Sequence, residues 1–351
     1  MQPRREKPTV TVNDVARAAG VSRQTVSNVL IAPDRVRAET RERVERAIAD
    51  LGYRPNRVAQ SLRAQTSRMI GYRVEPAQPQ YLASIHDRLL HALAEAGREQ
   101  DHHLLLFTAD GPQSEIDTGL ALYRTGAIDG LVLYDIETGD PRPPELLRQG
   151  LPFAAFGRTG VDLHHAWVDV DNVAGTAAVV EHLVARGHRG IALVGWPEGS
   201  GVGDRRAEGW RLGLDKHGLL AEAHDLDLRG EDSVTTGARL TTVLLDRKHP
   251  PTAIVAVSDS LAAGAIRALH SRGLTPGIEV AVVGFDDTPT AAVLDLSSVR
   301  QPIEAVGQGM IAALLSVLSG QETAPAPTGR LLVPELVVRA SSAGLALNPH
   351  R

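Results

Sequence analysis

From Met69 onward the chain repeats one pattern, a short apolar run followed by a segment of helical length. The runs are MIGYRV, HLLLFT, DGLVLY, PFAAF, GIALVG, TAIVAV and VAVVGF. Helices are expected between them, near 82–100, 112–125, 171–187, 204–217, 233–247, 258–272 and 302–318. Strands this apolar must be covered on both faces, and parallel sheets built from βαβ units satisfy that requirement. The number of units and the length of the segment predict an α/β architecture of two lobes, the first near 68–165 and the second near 166–300.

The first 68 residues break the pattern. They hold 14 Lys+Arg against 7 Asp+Glu, whereas the remainder holds 23 against 35. The whole chain stands at −5, so the sign of the total is uninformative and the asymmetry is what matters. It points to a basic module for a polyanion joined to an acidic body with another task; a basic helical cap with no partner is the plainer alternative. No apolar run reaches the roughly 18 residues of a membrane span. MQPRREKPTVTV has no apolar stretch or cleavage site behind its basic residues, so no signal peptide is expected. Cysteine is absent, which excludes disulfides and thiolate metal sites and fits a cytoplasmic location.

Within the basic segment, TVNDVARAAG is a helix that Thr11 can cap, with Asp14 near its positive end and Val12, Val15, Ala16 and Ala19 forming an apolar stripe. Gly20 permits a tight turn, and Ser22 is the N-cap of a second helix over 23–30. There Val26, Val29 and Leu30 point inward while Arg23, Gln24, Ser27 and Asn28 point outward. A third helix, ETRERVERAIADLG, ends at Gly52. Small residues at 16 and 20, with apolar residues at 15, 21, 26 and 29, let two helices cross through a short turn, a helix-turn-helix. Pro55 then stops the chain, and Asn56 can cap a short helix to about Ala64, with Ala59 and Leu62 on one face. Leu62 could wedge into a base step of DNA or pack into its own protein; the spacing allows both.

VTVNDVARAAGVSRQTVSNVL, followed by ETRERVERAIADLGYRPNRVAQSL, resembles the DNA-binding head of the LacI/GalR family of bacterial transcriptional regulators. The resemblance implies a head over 1–55, a hinge helix and linker over 56–67, a ligand-binding and dimerisation core over 68–340 and a tail over 341–351. It makes Arg23, Gln24 and Asn28 the base readers, because Arg suits guanine O6/N7 while Gln and Asn suit adenine N6/N7. Ser22, Thr25 and Ser27 would hold phosphates, and Asn56, Arg57, Ala59 and Leu62 would belong to the hinge on DNA. Arg37 departs from the pattern, standing where many relatives place a capping serine.

The likeness continues through the acidic body, whose two lobes resemble periplasmic sugar-binding proteins. It implies that 302–326 returns to lobe one and 327–340 to lobe two, with a ligand between the lobes at the carboxyl ends of the strands. GDRRAEGW matches an R-x-x-G-W stretch and makes Arg206 the ligand-holding guanidinium, a fork of paired donors; a surface salt bridge is the plainer alternative. VVGFDD makes Asp286 an acceptor for ligand hydroxyls, with Asp287 expected as a cap. Ser258 in AVSDS stands where relatives often have Asn. Gln301 in SVRQP and Arg158 in AAFGRTG match cleft positions. Aromatics make up only 3 % of the chain, so Trp196 after GIALVG could stack on a sugar or lid the core. Tyr81 is a weaker candidate of the same kind, and Trp210 is expected in the core. Asp232 replaces an aromatic, which favours a more polar ligand.

No enzyme, metal site or cofactor is expected. The glycines at 199, 201 and 203 lack both GxGxxG spacing and a Walker lysine, and no histidine pair has the i, i+4 spacing of a metal face. The expected protein is a cytoplasmic repressor of sugar-utilisation genes that binds a palindromic operator in double-stranded DNA as a homodimer. A small sugar or oligosaccharide effector would release it, as in the actinobacterial, cellobiose-type members that it resembles. A purine- or metabolite-responsive regulator using a corepressor is the alternative. SSAGLALNPHR has no leucine heptad, which favours a dimer over a tetramer, and no membrane is involved.

Overall fold

The computed structural model describes residues 10–31, 33–53, 66–74, 85–159, 163–320 and 329–344. Asn56, Arg57, Ala59, Leu62 and Tyr81 lie outside the described residues. The chain divides into two compact units at Ser67/Arg68.

The first unit contains α1 (Val12–Ala19), α2 (Arg23–Ile31) and α3 (Ala38–Leu51). The Asp14 carboxylate accepts from the Thr11 backbone N–H at 2.9 Å and the Thr11 hydroxyl at 2.7 Å, which fixes the start of α1. Gly20 ends it at φ +64°, a backbone that a Cβ disfavours, and the Val21 N–H returns to the Ala16 carbonyl. The core is small, built on Val15, Ala16, Ala19, Val26, Val29, Val44 and Ala47. Ala16 and Ala19 allow the helix crossing that Leu would block. Arg37 precedes α3 without giving a side-chain cap.

The second unit holds two six-stranded sheets among the described residues. The first contains β1 (Met69–Val74), β2 (His103–Thr108), β3 (Gly130–Leu133), β4 (Phe153–Phe156), β5 (Ala166–Val170) and β11 (Gly329–Leu332), in the order β11-β5-β4-β3-β1-β2 and parallel throughout. The second contains β6 (Ile191–Gly195), β7 (Asp227–Arg229), β8 (Ala253–Ala256), β9 (Ala281–Phe285), β10 (Ser297–Arg300) and β12 (Glu335–Val337), in the order β12-β10-β9-β8-β6-β7. Only β12 runs antiparallel to its neighbour there. Their cores are separate: Ile70, Leu93, Val132, Val168 and Met310 belong to one, Val180, Leu193, Trp210, Val255 and Val283 to another.

The helices are α4 (Ile85–Glu99), α5 (Pro112–Arg124), α6 (Arg142–Gln149), α7 (Asn172–Ala185), α8 (Gly201–Lys216), α9 (Val234–Leu245), α10 (Asp259–Ser271), α11 (Pro289–Val293), α12 (Ile303–Leu318) and α13 (Ala340–Ala343). Helix α12 packs on α4, β4 and β5, so the chain returns to lobe one after β10.

Three boundaries differ from the sequence expectation. β5 (166–170) belongs to the first sheet, so the first crossing falls after residue 170 rather than 165. The last apolar segment is divided: β11 pairs with β5 in lobe one and β12 with β10 in lobe two. The expected tail also begins too early. The Ser341 hydroxyl donates to the Val282 carbonyl at 2.6 Å and Ser342 bonds Ser297 at 2.7 Å, so these residues are buried parts of lobe two.

Candidate effector cleft and helix-turn-helix

In the first unit, the Ser22 hydroxyl accepts from the Thr25 N–H at 3.1 Å and caps α2. Arg23, Gln24 and Asn28 are exposed on one side of that helix, and Gln24 Nε2 donates to Asn28 Oδ1 at 3.0 Å. The amides are thus ordered before any partner arrives. Ser27 departs from the outward expectation: it is 6 % exposed, on the packed side next to Val26.

In the second unit the chain brings polar side chains together at the carboxyl ends of the second sheet. Arg206 projects from α8 and is 2 % exposed. Its Nε donates to Asn172 Oδ1 at 2.8 Å, Nη1 to the Val257 carbonyl at 2.5 Å and Nη2 to Asp286 Oδ1 at 3.4 Å. Its Cζ lies 3.6 Å from the Phe285 ring centroid and 5.2 Å from that of Trp196. Burial lowers the Arg206 pKa, yet the fork stays fixed by these partners. The surface salt-bridge alternative is excluded by this burial.

Asp286 follows β9 at φ +106°, a strained backbone for a non-glycine residue, and its Oδ1 accepts from Gln301 Nε2 at 2.6 Å. Burial pushes its pKa up to about 6 despite Arg206. Ser258 caps α10 through the Leu261 N–H at 3.2 Å, and its hydroxyl reaches Asp232 Oδ1 at 2.5 Å. Asp232 is pushed up by burial, opposed by Ser258, Trp196 and Arg206. Behind them Asp259 accepts from the Thr288 N–H and hydroxyl and from Ser298 at 2.6–2.9 Å; burial and the neighbouring Asp286 raise its pKa to about 7. Trp196 is half-buried against the lobe-two core, and its indole N–H is a buried donor with no hydrogen bond of ordinary geometry. Gly203 passes so close that a Cβ there would stand 3.1–3.2 Å from Trp196.

Lobe one supplies the facing groups. His86, at the start of α4, meets Asp135 at 3.0 Å and lies tilted at 46° against the Tyr134 ring; when protonated, it favours the charged forms of both Asp232 and Asp286. Arg88 reaches the Asp286 carbonyl at 3.4 Å and Glu304 at 3.1 Å. Arg158 is tied elsewhere: its Nε donates to Asp169 Oδ2 at 2.9 Å, and Asp169 also faces Arg205 of α8 at 3.7 Å.

Arg206, Asp286, Gln301, Ser258 and Trp196 therefore share one cluster. Asn172 and His86 were missed, lying 34 and 120 positions from Arg206 with no motif to join them; a lone His in the first turn of a helix and an Asn after an Asp cap carry no signal. Asp287 is not the expected cap. It pairs with Arg300 and Arg339, each at 2.7 Å, and Thr288 precedes α11 instead. The glycine loop before α8 is occupied by its own chain, because Ser200 accepts the Gly203 N–H and Asp204 the Gly199 N–H. Among the described residues no group of His, Asp and Glu is placed to hold a metal, and no helix is long and apolar enough to cross a membrane.

A helix-turn-helix unit together with a two-sheet unit carrying a buried cluster of charged side chains at its strand ends defines the class of DNA-binding regulators built on a small-molecule-binding core. The profile described as bacterial regulatory proteins, lacI family, matches residues 11–56, and that of a periplasmic binding protein-like domain matches 180–342. The HTH-type transcriptional regulator CelR of Thermobifida fusca is 33 % identical over 345 residues, covering 96 % of this chain and 99 % of that one. A solved CelR–cellobiose complex has 31 % identity and a TM-score of 0.71, covering 95 % and 99 %. The lac repressor dimer bound to operator and the anti-inducer ONPF has 30 % identity and a TM-score of 0.78, covering 96 % and 100 %.

The chain belongs to the lacI family of bacterial regulatory proteins. It is a DNA-binding transcriptional regulator, of a family that is not enzymatic.

Proposed function

We propose that this regulator is a cytoplasmic homodimeric repressor of sugar-utilisation genes, released from a palindromic operator when a small sugar binds between the lobes. The observation that carries the reading is the buried Arg206 fork beside Asp286 and Gln301, which offers fixed donors and acceptors to adjacent hydroxyls. The likeness to a CelR–cellobiose complex and to an operator-bound lac repressor dimer supports it. Arg206, Asp286, Gln301, Ser258 and Trp196 contact the effector, with Arg158 at the edge of the site and Tyr81, outside the described residues, as a further candidate contact. Arg23, Gln24 and Asn28 read bases, Ser22 and Thr25 hold phosphates, and Asn56, Arg57, Ala59 and Leu62 form the hinge on DNA. The buried Ser27 supports α2 rather than a phosphate. The head runs to residue 55 and the hinge over 56–67.

The switch is a population shift between two lobe arrangements, limited in size by the differential affinity of the effector for them. His86 and Arg88 on the lobe-one side, facing Asp232 and Asp286, are groups whose contacts would change with that arrangement. The low aromatic content disfavours a purine-stacking pocket.

Fluorescence anisotropy on a labelled palindrome from upstream of its own gene, with a panel of disaccharides, tests this. We expect one sugar to weaken DNA binding at least tenfold. Arg206→Ala should bind the same DNA and lose the response. Release of Arg206→Ala at the wild-type sugar concentration would remove Arg206 from the site, and a response to purines alone would remove the sugar class.

A further inference from the structure

Two consecutive arginines on α8 reach the chain where it crosses from lobe one to lobe two, and they reach it differently. Arg206 is held firmly: Asn172, the first residue of α7, takes its Nε at 2.8 Å and donates Nδ2 to the Val170 carbonyl at 3.0 Å. Arg205 faces Asp169 on β5, and its Nη2 stops 3.7 Å from Oδ2. That is an ion-pair distance but too long for a hydrogen bond. Nε and Nη2 of Arg205 are both buried without a hydrogen-bond partner, and the side chains of Arg205 and Asp169 are 16 % and 2 % exposed.

Among the described residues no other acid pairs with Arg205. Asp204 accepts the Gly199 N–H and pairs with Arg229, and Glu208 is exposed. Asp169 has room for a further donor: Oδ1 takes the Val170 N–H at 2.8 Å and Oδ2 the Arg158 Nε at 2.9 Å, and each carboxylate oxygen accepts more than one bond. Buried guanidinium donors without partners are costly, and a charge-assisted pair removes that cost. A closure of about 1 Å brings Nη2 within hydrogen-bond distance of Oδ2. Arg206, the next residue on the same helix, stands in the proposed effector cluster, so a ligand that draws the lobes together acts on the helix that carries Arg205.

We propose that Arg205 and Asp169 form a clasp between the lobes, long in the arrangement seen here and closed to a hydrogen-bonded pair in the effector-bound one. Arg205 is then a positioning residue: it stabilises the arrangement that the effector selects without touching the effector. By linkage, its contribution belongs to effector affinity and to release from DNA, and not to operator binding without effector. The inference rests on the sugar reading above and adds the device that ties the cleft to lobe movement.

Fluorescence anisotropy of the full-length protein on the same labelled palindrome, titrated with cellobiose and the other disaccharides, yields two quantities for each variant. They are the operator affinity without sugar and the sugar concentration for half-release. Arg205→Met and Asp169→Asn should each raise the half-release concentration at least fivefold, while operator affinity stays within about twofold. The double variant should be no worse than the stronger single one, and Arg205→Lys, which keeps the charge, should recover most of the response. Unchanged half-release, or losses that multiply in the double variant, overturns the clasp and leaves the sugar reading standing. Operator binding that falls in parallel with the response also overturns it, because a merely structural role predicts that. Release of the wild type by no disaccharide overturns both. Asp169→Asn decides the matter even if Arg205→Met does not fold.

Discussion

The two lobes each bury a group of charges, and the groups are built differently. In lobe one, Arg142 donates to Asp140 at 2.6 Å, to Glu115 at 2.8 Å and to the carbonyls of Tyr134 and Asp135 at 3.0 and 2.8 Å. Arg73 faces Glu115 at 3.1 Å, so two guanidiniums serve two carboxylates. In lobe two the Arg206 guanidinium makes one carboxylate contact, a long one to Asp286, and burial pushes the carboxyls of Asp232, Asp286 and Asp259 up. A group with matched charges and short bonds holds a backbone in place. A group whose carboxyls are pushed toward the protonated form, with one long ion pair, is not held by ion pairs alone. The first position is structural and the second is the effector site we propose, although both are buried clusters of carboxyls and arginines with a raised carboxyl pKa.

The largest expected effect falls on the matched group. Arg142→Met would strand Glu115 and Asp140 and release the two carbonyls before the Asp135 turn. The loss should be about 3–5 kcal/mol, because removing one partner leaves uncompensated buried charge. Urea unfolding of the full chain, followed by circular dichroism, checks this. A loss under 1 kcal/mol would erase the distinction between the lobes, and effector binding by the folded fraction should survive.

The lobe-two group should instead reveal itself through pH. An unfolded aspartate titrates near 3.8, while native Asp259 titrates near 7 and Asp286 near 6. Between those limits the native state holds the extra proton. Its contribution is fully present below about pH 4 and is lost as pH rises to 7, at about 1.4 kcal/mol per pH unit for each engaged group. Asp259→Asn should flatten that decline and raise the unfolding midpoint at pH 8. It keeps an oxygen for the Thr288 donors and removes the charge. Parallel pH profiles for variant and wild type would show that Asp259 does not set the slope.

That chemistry was only partly legible in the sequence. The apolar strands could be read because burial on both faces leaves an unbroken run, and the head could be read because Gly20 and the Val and Ala positions have few alternatives. Three strands escaped. AWVDV follows two histidines and carries Asp169, which is buried through its own pairs rather than by being apolar. DLR is only three residues at a sheet edge. SSVR reads as a loop, yet Ser297 and Ser298 are fully buried because Arg339, Ser341 and Asp259 satisfy them. Helix α6 opens with Arg-Pro-Pro, which looks like a break although proline suits a helix start. In the cleft, resemblance supplied Arg206, Asp286 and Gln301. The partners Asn172 and His86 come from distant segments and exist as a group only after folding.

The smallest effect tests a pair between these extremes. Arg158 is 37 % exposed at its side chain and pairs with the buried Asp169, which ties β4 to β5 and faces Arg205 from the other lobe. Water screens its outer half, and Asp169 would keep the Val170 N–H at 2.8 Å and the Arg205 guanidinium. Arg158→Ala should therefore destabilise by only about 0–1 kcal/mol, the range of half-exposed pairs. Its effect on effector affinity should be equally small, because none of its hydrogen bonds reach the Arg206 cluster. A loss beyond 2 kcal/mol in unfolding would place Arg158 with Arg142 as a structural cation. A tenfold loss of effector binding at unchanged stability would move Arg158 from the edge of the effector site into its contact shell.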